Sequence, residues 1–419
     1  MARSRIWCAV AALAAGALVG PACGGSGDGG APTLKWYVFK EPSGAFTEAA
    51  SRCTDAAEGR YRIELADLPA SADQQREQLV RRLAAEDSDI DIIGMDVIWT
   101  AEFAEAGWIL PWSEEAATAV SEGVLPGPLE SSTYEDELWT APFTSNTQLL
   151  WYRKDRVDEA PETWDDLIAV AEELGEDNLV QVQGNRYEGL TVWFNSLVAS
   201  AGGSILEGSG EEPEVTVGDD ATTRALEVMR DLATSSVADP TLSTSSEDEG
   251  RLAFETGGSS FMVNYTFVYP SAETNAPEVF ENLAWARYPG VEAGEASKPP
   301  LGGINLGVGA YSDDPDLAFD AASCLAGAEN QIVAAQKGGL PPTREALYDS
   351  PEMQEAFPFA DLLRESIADA APRPITPAYN DVSLAIFQTI HPPGSIDPES
   401  ATKELEDKIG QAVTSGGLL

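Results

Sequence analysis

The sequence predicts an α/β protein of two lobes with a ligand cleft between them. Three observations carry this reading. At 419 residues, 43% of them hydrophobic, the chain is too long for one ordinary core and too apolar to be disordered over most of its length. Its N-terminal part alternates strand and helix patterns, as a doubly wound lobe does. Strands come early, helices dominate the middle and strands return late, the order expected of a chain that crosses between lobes more than once.

Alternation in TLKWYVF, Thr33–Phe39, predicts the first strand. A helix follows near 43–57, a second strand at Arg60–Leu65, and a helix at Gln74–Glu86 with Leu79, Val80 and Leu83 on one face. Ile90–Met95 reads as a short buried strand, and Ala101–Ala106 as a helix stopped by Gly107. Ligands of such sheets sit beyond the carboxyl ends of the strands. Glu41 and Asp96 each lie just past a strand, so both point to one rim; the commoner role of a single acid there is a loop residue or helix cap. In APFTSNTQLLWYRKD (141–155), Ala141–Asn146 reads as the strand that crosses between lobes, with Asn146 facing the cleft. Thr163 and Asp166 form a capping pair that starts a helix at Trp164, running to about Leu174. Helices at Gly189–Ser200 and Thr222–Ser235 flank an acidic, glycine-rich loop at 209–219. Strands are expected at Phe261–Tyr265, Leu283–Tyr288 and Ile304–Tyr311. Helices are then expected at Asp316–Ala326, Asn330–Gln336, 384–390 and 399–414. The implied division is 33–143 with 284–333 in the first lobe, and 144–283 with 334–419 in the second.

The N-terminus, MARSRIWCAVAALAAGALVGPAC, sets Arg3 and Arg5 before an apolar run from Ile6 to Val19. That run is shorter than the roughly 20 residues a spanning helix needs, and its pattern over 1–22 is that of an export signal. Cys23 then opens a glycine-rich tether, 23–32. A cysteine at this junction looks like the lipidated cysteine of a bacterial lipoprotein, which anchors the protein to the outer face of the cytoplasmic membrane; Gly20 stands where leucine is usual, and cleavage nearby with release is the other outcome. Cys8 leaves with the signal. Cys53 and Cys324 remain as an even pair, and an oxidising compartment favours a disulfide over two buried thiols.

Acidic residues outnumber basic ones 70 to 25, a net charge of −45 that repels nucleic-acid backbones and anionic membranes. The single histidine, His391, precedes Pro392 and Pro393, and no Gly-x-Ser-x-Gly elbow accompanies it, which argues against a serine triad. Histidine or paired-cysteine zinc sites fail by count, and the phosphate loop and dinucleotide fingerprint are missing. No cofactor is expected. Calcium comes into question only at a carboxylate cluster such as Glu247-Asp248-Glu249, and such a run is ordinarily a solvated face. What remains is 10 Trp, 11 Tyr and 13 Phe, with polar residues at strand ends. Rings stack on the C–H faces of sugars, while carboxylate, amide and guanidinium groups bind their hydroxyls. The mixture suits a neutral sugar.

Several stretches then occur in order: Cys23 with its tether, DIDIIGMDVIWTAEFAEAGWILPW (89–112), APFTSNTQLLWYRKD, PETWDDL (161–167), YEGLTVWFNSLVASAGG (187–203), FETGGSSFMVNYTFVYP (254–270) and PRPITPAYNDVS (372–383). Together they resemble the extracytoplasmic solute-binding lipoproteins of sugar ABC importers, above all the trehalose- and maltose-type binding proteins. The resemblance spans nearly the whole mature chain. It implies a periplasmic-binding-protein-like fold, two α/β lobes joined by crossing strands and closing on a disaccharide such as trehalose. It also implies a monomer that breaks no bond and passes its sugar to permease subunits. Carried over residue by residue, it puts sugar contacts at Glu41, Gln75 (or Gln74), Asp96, Asn146, Glu247, Gly302, Gly303 and Arg373, with Tyr265 as the stacking ring and Tyr269 nearby. Relatives often have Asp at the position of Asn146 and tryptophan at that of Tyr265, and an aromatic where Ile304 stands. The resemblance also sets Cys53 and Cys324 on helices of the first lobe, in keeping with a disulfide. The competing readings are a glycoside hydrolase with Glu41 and Asp96 as its acid pair, a maltose or oligosaccharide binder, and a polyamine binder, which Arg373 in the cleft would oppose.

Overall fold

Two sheets organise the chain in a computed structural model that describes residues 31–414 apart from 70, 176, 209, 211 and 212. The expected export signal, Cys8, Cys23 and residues 24–30 of the tether lie outside the described residues. The strands are β1 (Thr33–Phe39), β2 (Arg62–Leu68), β3 (Ile92–Asp96), the hairpin β4 (Thr133–Tyr134) and β5 (Glu137–Leu138), β6 (Thr140–Asn146), β7 (Gln148–Arg153) and β8 (Leu179–Gln181). The ribbon β9 (Leu206–Glu207) and β10 (Glu214–Val215) follows, then β11 (Ser259–Tyr265), β12 (Leu283–Ala286) and β13 (Gly302–Val308). The first sheet has the order β2-β1-β3-β13-β6, with β1 parallel to β2 and β3, and β13 antiparallel to both its neighbours. The second has the order β12-β7-β11-β8.

Alternation along each strand decides which core it feeds. In the first lobe Trp36, Val38 and Ile92 face one core and Tyr37, Ile93 and Met95 the opposite one. Helix α1 (Ala45–Ala56) packs on the former through Phe46, Ala49 and Ala50, and α2 (Ala72–Leu83) on the latter through Leu79 and Leu83. In the second lobe Leu150, Phe261 and Val263 meet the helices Glu188–Ser200, Asp220–Thr234, Tyr379–Ile390 and Pro398–Thr414, while Leu149, Trp151 and Met262 meet the helices Pro351–Ala356 and Ala360–Ala368. The inner strands β3 (IIGMD) and β7 (QLLWYR) accordingly carry apolar residues on both faces, whereas the edge strand β2 (RIELADL) is largely polar and half-exposed.

Sheet membership moves the expected boundaries. β6 stays in the first sheet through Asn146, which pairs with Gly302, and β7 begins the second sheet at Gln148. The crossing is therefore made at Thr147, not along Ala141–Asn146. β12 pairs with β7, so 284–286 belong to the second lobe rather than the first. The chain returns near Leu301, whose N–H donates to the Ala371 carbonyl (3.1 Å), and β13 follows in the first sheet. It leaves again after the Ala328–Gly338 helix, whose Val333 and Ala334 still pack in the first lobe. A strand pattern shows that a strand exists, not which edge it joins.

The acid run at 247–249 is the first turn of a helix, Glu247–Glu255, opened by a capping box between Ser246 and Glu249. Acid side chains there meet the positive end of the helix dipole. Among the described residues no cluster of His, Cys, Asp or Glu is placed to hold a metal ion, and no helix is long and apolar enough to cross a membrane. Cys53 on α1 and Cys324 on the Pro315–Leu325 helix are joined in a disulfide.

Candidate ligand-binding site

Strand ends from both sheets meet in one place. β3 ends at Asp96, β6 at Asn146 and β11 at Tyr265, and β13 begins at Gly302. A Cβ on Gly302 would stand 3.6 Å from the Asn146 Cβ and 3.9 Å from Tyr265 Cε1. Gly303 has φ +142°, and a Cβ there would lie 2.2 Å from the Thr144 carbonyl oxygen, next to a register shift in the β13–β6 ladder. Only glycine fits such a bend. The glycine pair thereby brings Asn146 and Tyr265 together.

Arg373 lies between the lobes, with a side chain only 4% exposed. Its Nη2 donates to Asp96 Oδ1 (2.9 Å) and its Nη1 to Glu188 Oε1 (2.7 Å). Asp96 belongs to the first sheet, whereas Glu188 opens the Glu188–Ser200 helix of the second lobe. Glu188 also accepts from the hydroxyls of Tyr379 and Ser383. Burial acts to lower the Arg373 pKa, but Asp96, Tyr379 and Glu188 hold it well above the ordinary arginine range. Burial pushes the Glu188 carboxyl up, against the pull of Arg373 and the two hydroxyls. Arg373 Nε and Gln183 Nε2 are buried and meet no acceptor among the described residues.

Beside this pair, the Tyr187 hydroxyl donates to Glu247 Oε2 (2.7 Å), and burial raises the Glu247 carboxyl. The Tyr265 phenol is pushed far above its usual range, first by burial and then by the charge of Glu247; Asp96 adds to this and Arg373 opposes it. Tyr265 is therefore within electrostatic reach of Asp96, Glu247 and Arg373 together. Where Pro372–Ile375 faces Val97–Ala101, the space between them is only about 10 Å³. A hollow of about 500 Å³ lined by Pro161, Thr163, Arg287 and Tyr288 contains none of the expected contacts.

The remaining expected residues fall at other places. Glu41 caps α1, accepting from the Ser43 and Ala45 N–H groups (2.7 and 2.9 Å). Gln75 is buried in the first turn of α2. Nearby Asp73 is exposed at the surface, yet its carboxyl is pushed up by desolvation and by Asp96, which places the start of α2 near the strand-end acid. Tyr269 does not join the group. It follows Tyr265 by four residues, but the Val268–Asn275 helix turns its ring into an aromatic core, 5.1 Å from Phe280, 5.3 Å from Phe359 and 5.8 Å from Trp285 between centroids. Sequence reasoning did not single out Glu188, Tyr187, Tyr379 or Ser383. The signal was an acid and a phenol opening a helix that is otherwise almost wholly buried, YEGLTVWFNSLV.

Residues 58–332 match the family of bacterial extracellular solute-binding proteins. A Deinococcus radiodurans protein named "Probable ABC transporter-binding protein" is 28% identical over 373 residues, 83% of this chain and 86% of the relative. Among solved structures, the maltose-bound MalE3 of T. maritima has a TM-score of 0.82 at 26% identity, covering 90% of this chain and 99% of that one. The GacH receptor of Streptomyces glaucescens, at 0.80 and 21% over 92% and 99% of the two chains, shares the fold. The architecture is thus the two-lobed periplasmic-binding-protein fold of the maltose-binding type. With a family match over most of its length and that fold, the chain belongs to the bacterial extracellular solute-binding proteins, which serve ABC importers by binding a solute and not by transforming it.

Proposed function

We propose that the protein binds a neutral disaccharide such as trehalose between its lobes, outside the cytoplasmic membrane, and passes it to the permease subunits of an ABC importer. The single observation behind this is the buried Arg373, held by carboxylates of both lobes beside the Tyr265 ring. Sugar hydroxyls match charged and amide partners such as Asp96, Glu247, Asn146 and Arg373, and a sugar face matches the Tyr265 ring. The Gly302–Gly303 turn lets the backbone come close. Gln75 and Glu41, at the starts of α2 and α1, complete the reading from the first lobe. Arg373 answers the nearby acids, so an uncharged ligand disturbs the balance least, and a polyamine would meet its cation. The hydrolase reading finds no support in the family, whose members bind a solute without transforming it.

A second reading, maltose or a longer malto-oligosaccharide, has specific support. The T. maritima neighbour holds maltose, and 120 residues of this chain are 29% identical to a maltotriose-binding protein of Pyrococcus abyssi. Anchoring through a lipid on Cys23 and a monomeric state belong to the same proposal; mass spectrometry of the membrane fraction and light scattering test them. Calorimetry with trehalose, maltose, maltotriose and spermidine tests the main claim. Trehalose is expected to bind with a Kd of about 1 μM or tighter, about −8 kcal/mol. Tighter binding of a malto-oligosaccharide moves the assignment to the second reading, and binding of no sugar rejects both.

A further inference from the structure

We infer that Glu188 is the positioning residue that keeps Arg373 on the second lobe, so that the Asp96–Arg373 bond is the one made and broken as the lobes close and open. The inference rests on the proposed ligand cleft and names a part of it that ligand contacts alone do not reveal. The two carboxylates that hold Arg373 are unequal. The Glu188 side chain is 10% exposed and that of Asp96 25%. Glu188 takes three donors, from Arg373, Tyr379 and Ser383, and the Ser383 hydroxyl is bonded in turn to Thr191 (2.9 Å). All of these except Arg373 sit on two helices of one lobe, Glu188–Ser200 and Tyr379–Ile390. The segment carrying Arg373 is tied to the same lobe: Asn195 Nδ2 donates to the Pro372 carbonyl (3.2 Å). Separating Arg373 from Glu188 would strand a buried carboxylate, which is costly. Asp96 has the Ile98 N–H (3.3 Å) as a second partner and is open enough for water to replace the guanidinium. The bridge between the lobes therefore parts at Asp96.

The test combines sugar binding with the shape of the sugar-free protein. Glu188→Gln keeps the side-chain size and removes the charge. It is expected to weaken binding of trehalose or maltose roughly ten- to hundredfold while melting stays cooperative. Asp96→Asn should weaken binding too, and the double variant should lose less than the product of the single losses, because both act through Arg373. Glu188→Asp should recover part of the loss. Binding within twofold of the parent in a folded Glu188→Gln protein, or losses that multiply, overturns the inference. If Glu188→Gln does not fold, Ser383→Ala and Tyr379→Phe take its place, each expected to weaken binding roughly threefold by freeing the carboxylate; no loss in either overturns it. Small-angle scattering of the sugar-free protein separates this inference from the proposed function. Asp96→Asn should enlarge the radius of gyration even if no tested sugar binds, and an unchanged radius counts against the latch.

Discussion

The two lobes meet the cleft with different chemistry. The first presents single acids at strand and helix ends: Glu41 accepts from backbone N–H groups at the start of α1, and Asp96 caps the turn after β3 while also accepting from Arg373. The second presents a bonded set in which Arg373, Glu188, Tyr379 and Ser383 hold one another, with Tyr187 and Glu247 alongside. The first is fastened on its outer helices by the Cys53–Cys324 disulfide, the second by buried polar contacts and a large apolar core. The contrast teaches which side can release the shared arginine. A charge with one half-open partner is easily rehydrated, and a charge whose partner is buried is not.

The largest expected effect breaks this contrast where it is sharpest. Arg373→Ala should lower unfolding free energy by about 3–5 kcal/mol, since it strips the buried Glu188 and the half-buried Asp96 of their shared charged partner. Urea titration measures this, and a cost no larger than that of Asp96→Ala would erase the distinction. Next, Cys53→Ser should cost about 2–5 kcal/mol of stability, and reductant should do the same to the parent protein. Asp96→Ala should weaken sugar binding by about 1.5–3 kcal/mol in calorimetry while leaving the melting temperature nearly unchanged. Glu41→Ala should cost about 1 kcal/mol of stability as a lost helix cap; a loss of affinity with full stability would instead make it a ligand residue only.

The smallest effect concerns pH. Burial raises the Glu188, Glu247 and Asp91 carboxyls, so the folded protein holds their protons more readily than the unfolded chain does. Their contribution is fully present below the unfolded carboxyl range and is lost as pH rises through the folded values. Glu48, Asp87 and Asp155, lowered mainly by Lys337, Arg82 and Arg153, act in the opposite sense, but only once pH falls below the ordinary carboxylate range. Repulsion from the −45 net charge has the sign of the raised group. Melting temperature should therefore be higher at pH 5.5 than at pH 8 in low salt, and calorimetric scans at both values decide it.

Local pattern made much of the fold legible. β1 occupies the expected Thr33–Phe39, and the Trp164–Leu174 helix starts at its Thr163 cap, because alternation and capping are written in neighbouring residues. The Thr163 hydroxyl meets both the Asp166 N–H and the Asp166 carboxylate. Pairing between distant segments was not legible, so residues 284–286 of β12 were expected in the first lobe although β12 pairs with β7, and the crossing at Thr147 was placed too early. The same limit governs the site. Asp96 and Arg373 stood out by their positions in ordered motifs, and the structure bonds them together. Tyr269 stood out by nearness to Tyr265, yet a helix begins between them and sends the ring the other way. Glu188 looked like any acid at a helix start, since its partner Tyr379 lies 191 residues further along.

The position of β13 has a consequence for biosynthesis. It lies between β3 and β6, so the segment 302–308 fills a gap in a sheet whose other strands all lie before residue 147. A nascent chain must emerge almost to its last quarter before that gap can close, and until then β6 has no neighbour in its sheet. Such late, distant pairing slows folding. A ribosome-bound or truncated product ending before Gly302 should remain protease-sensitive across residues 33–146, however long it is left to mature.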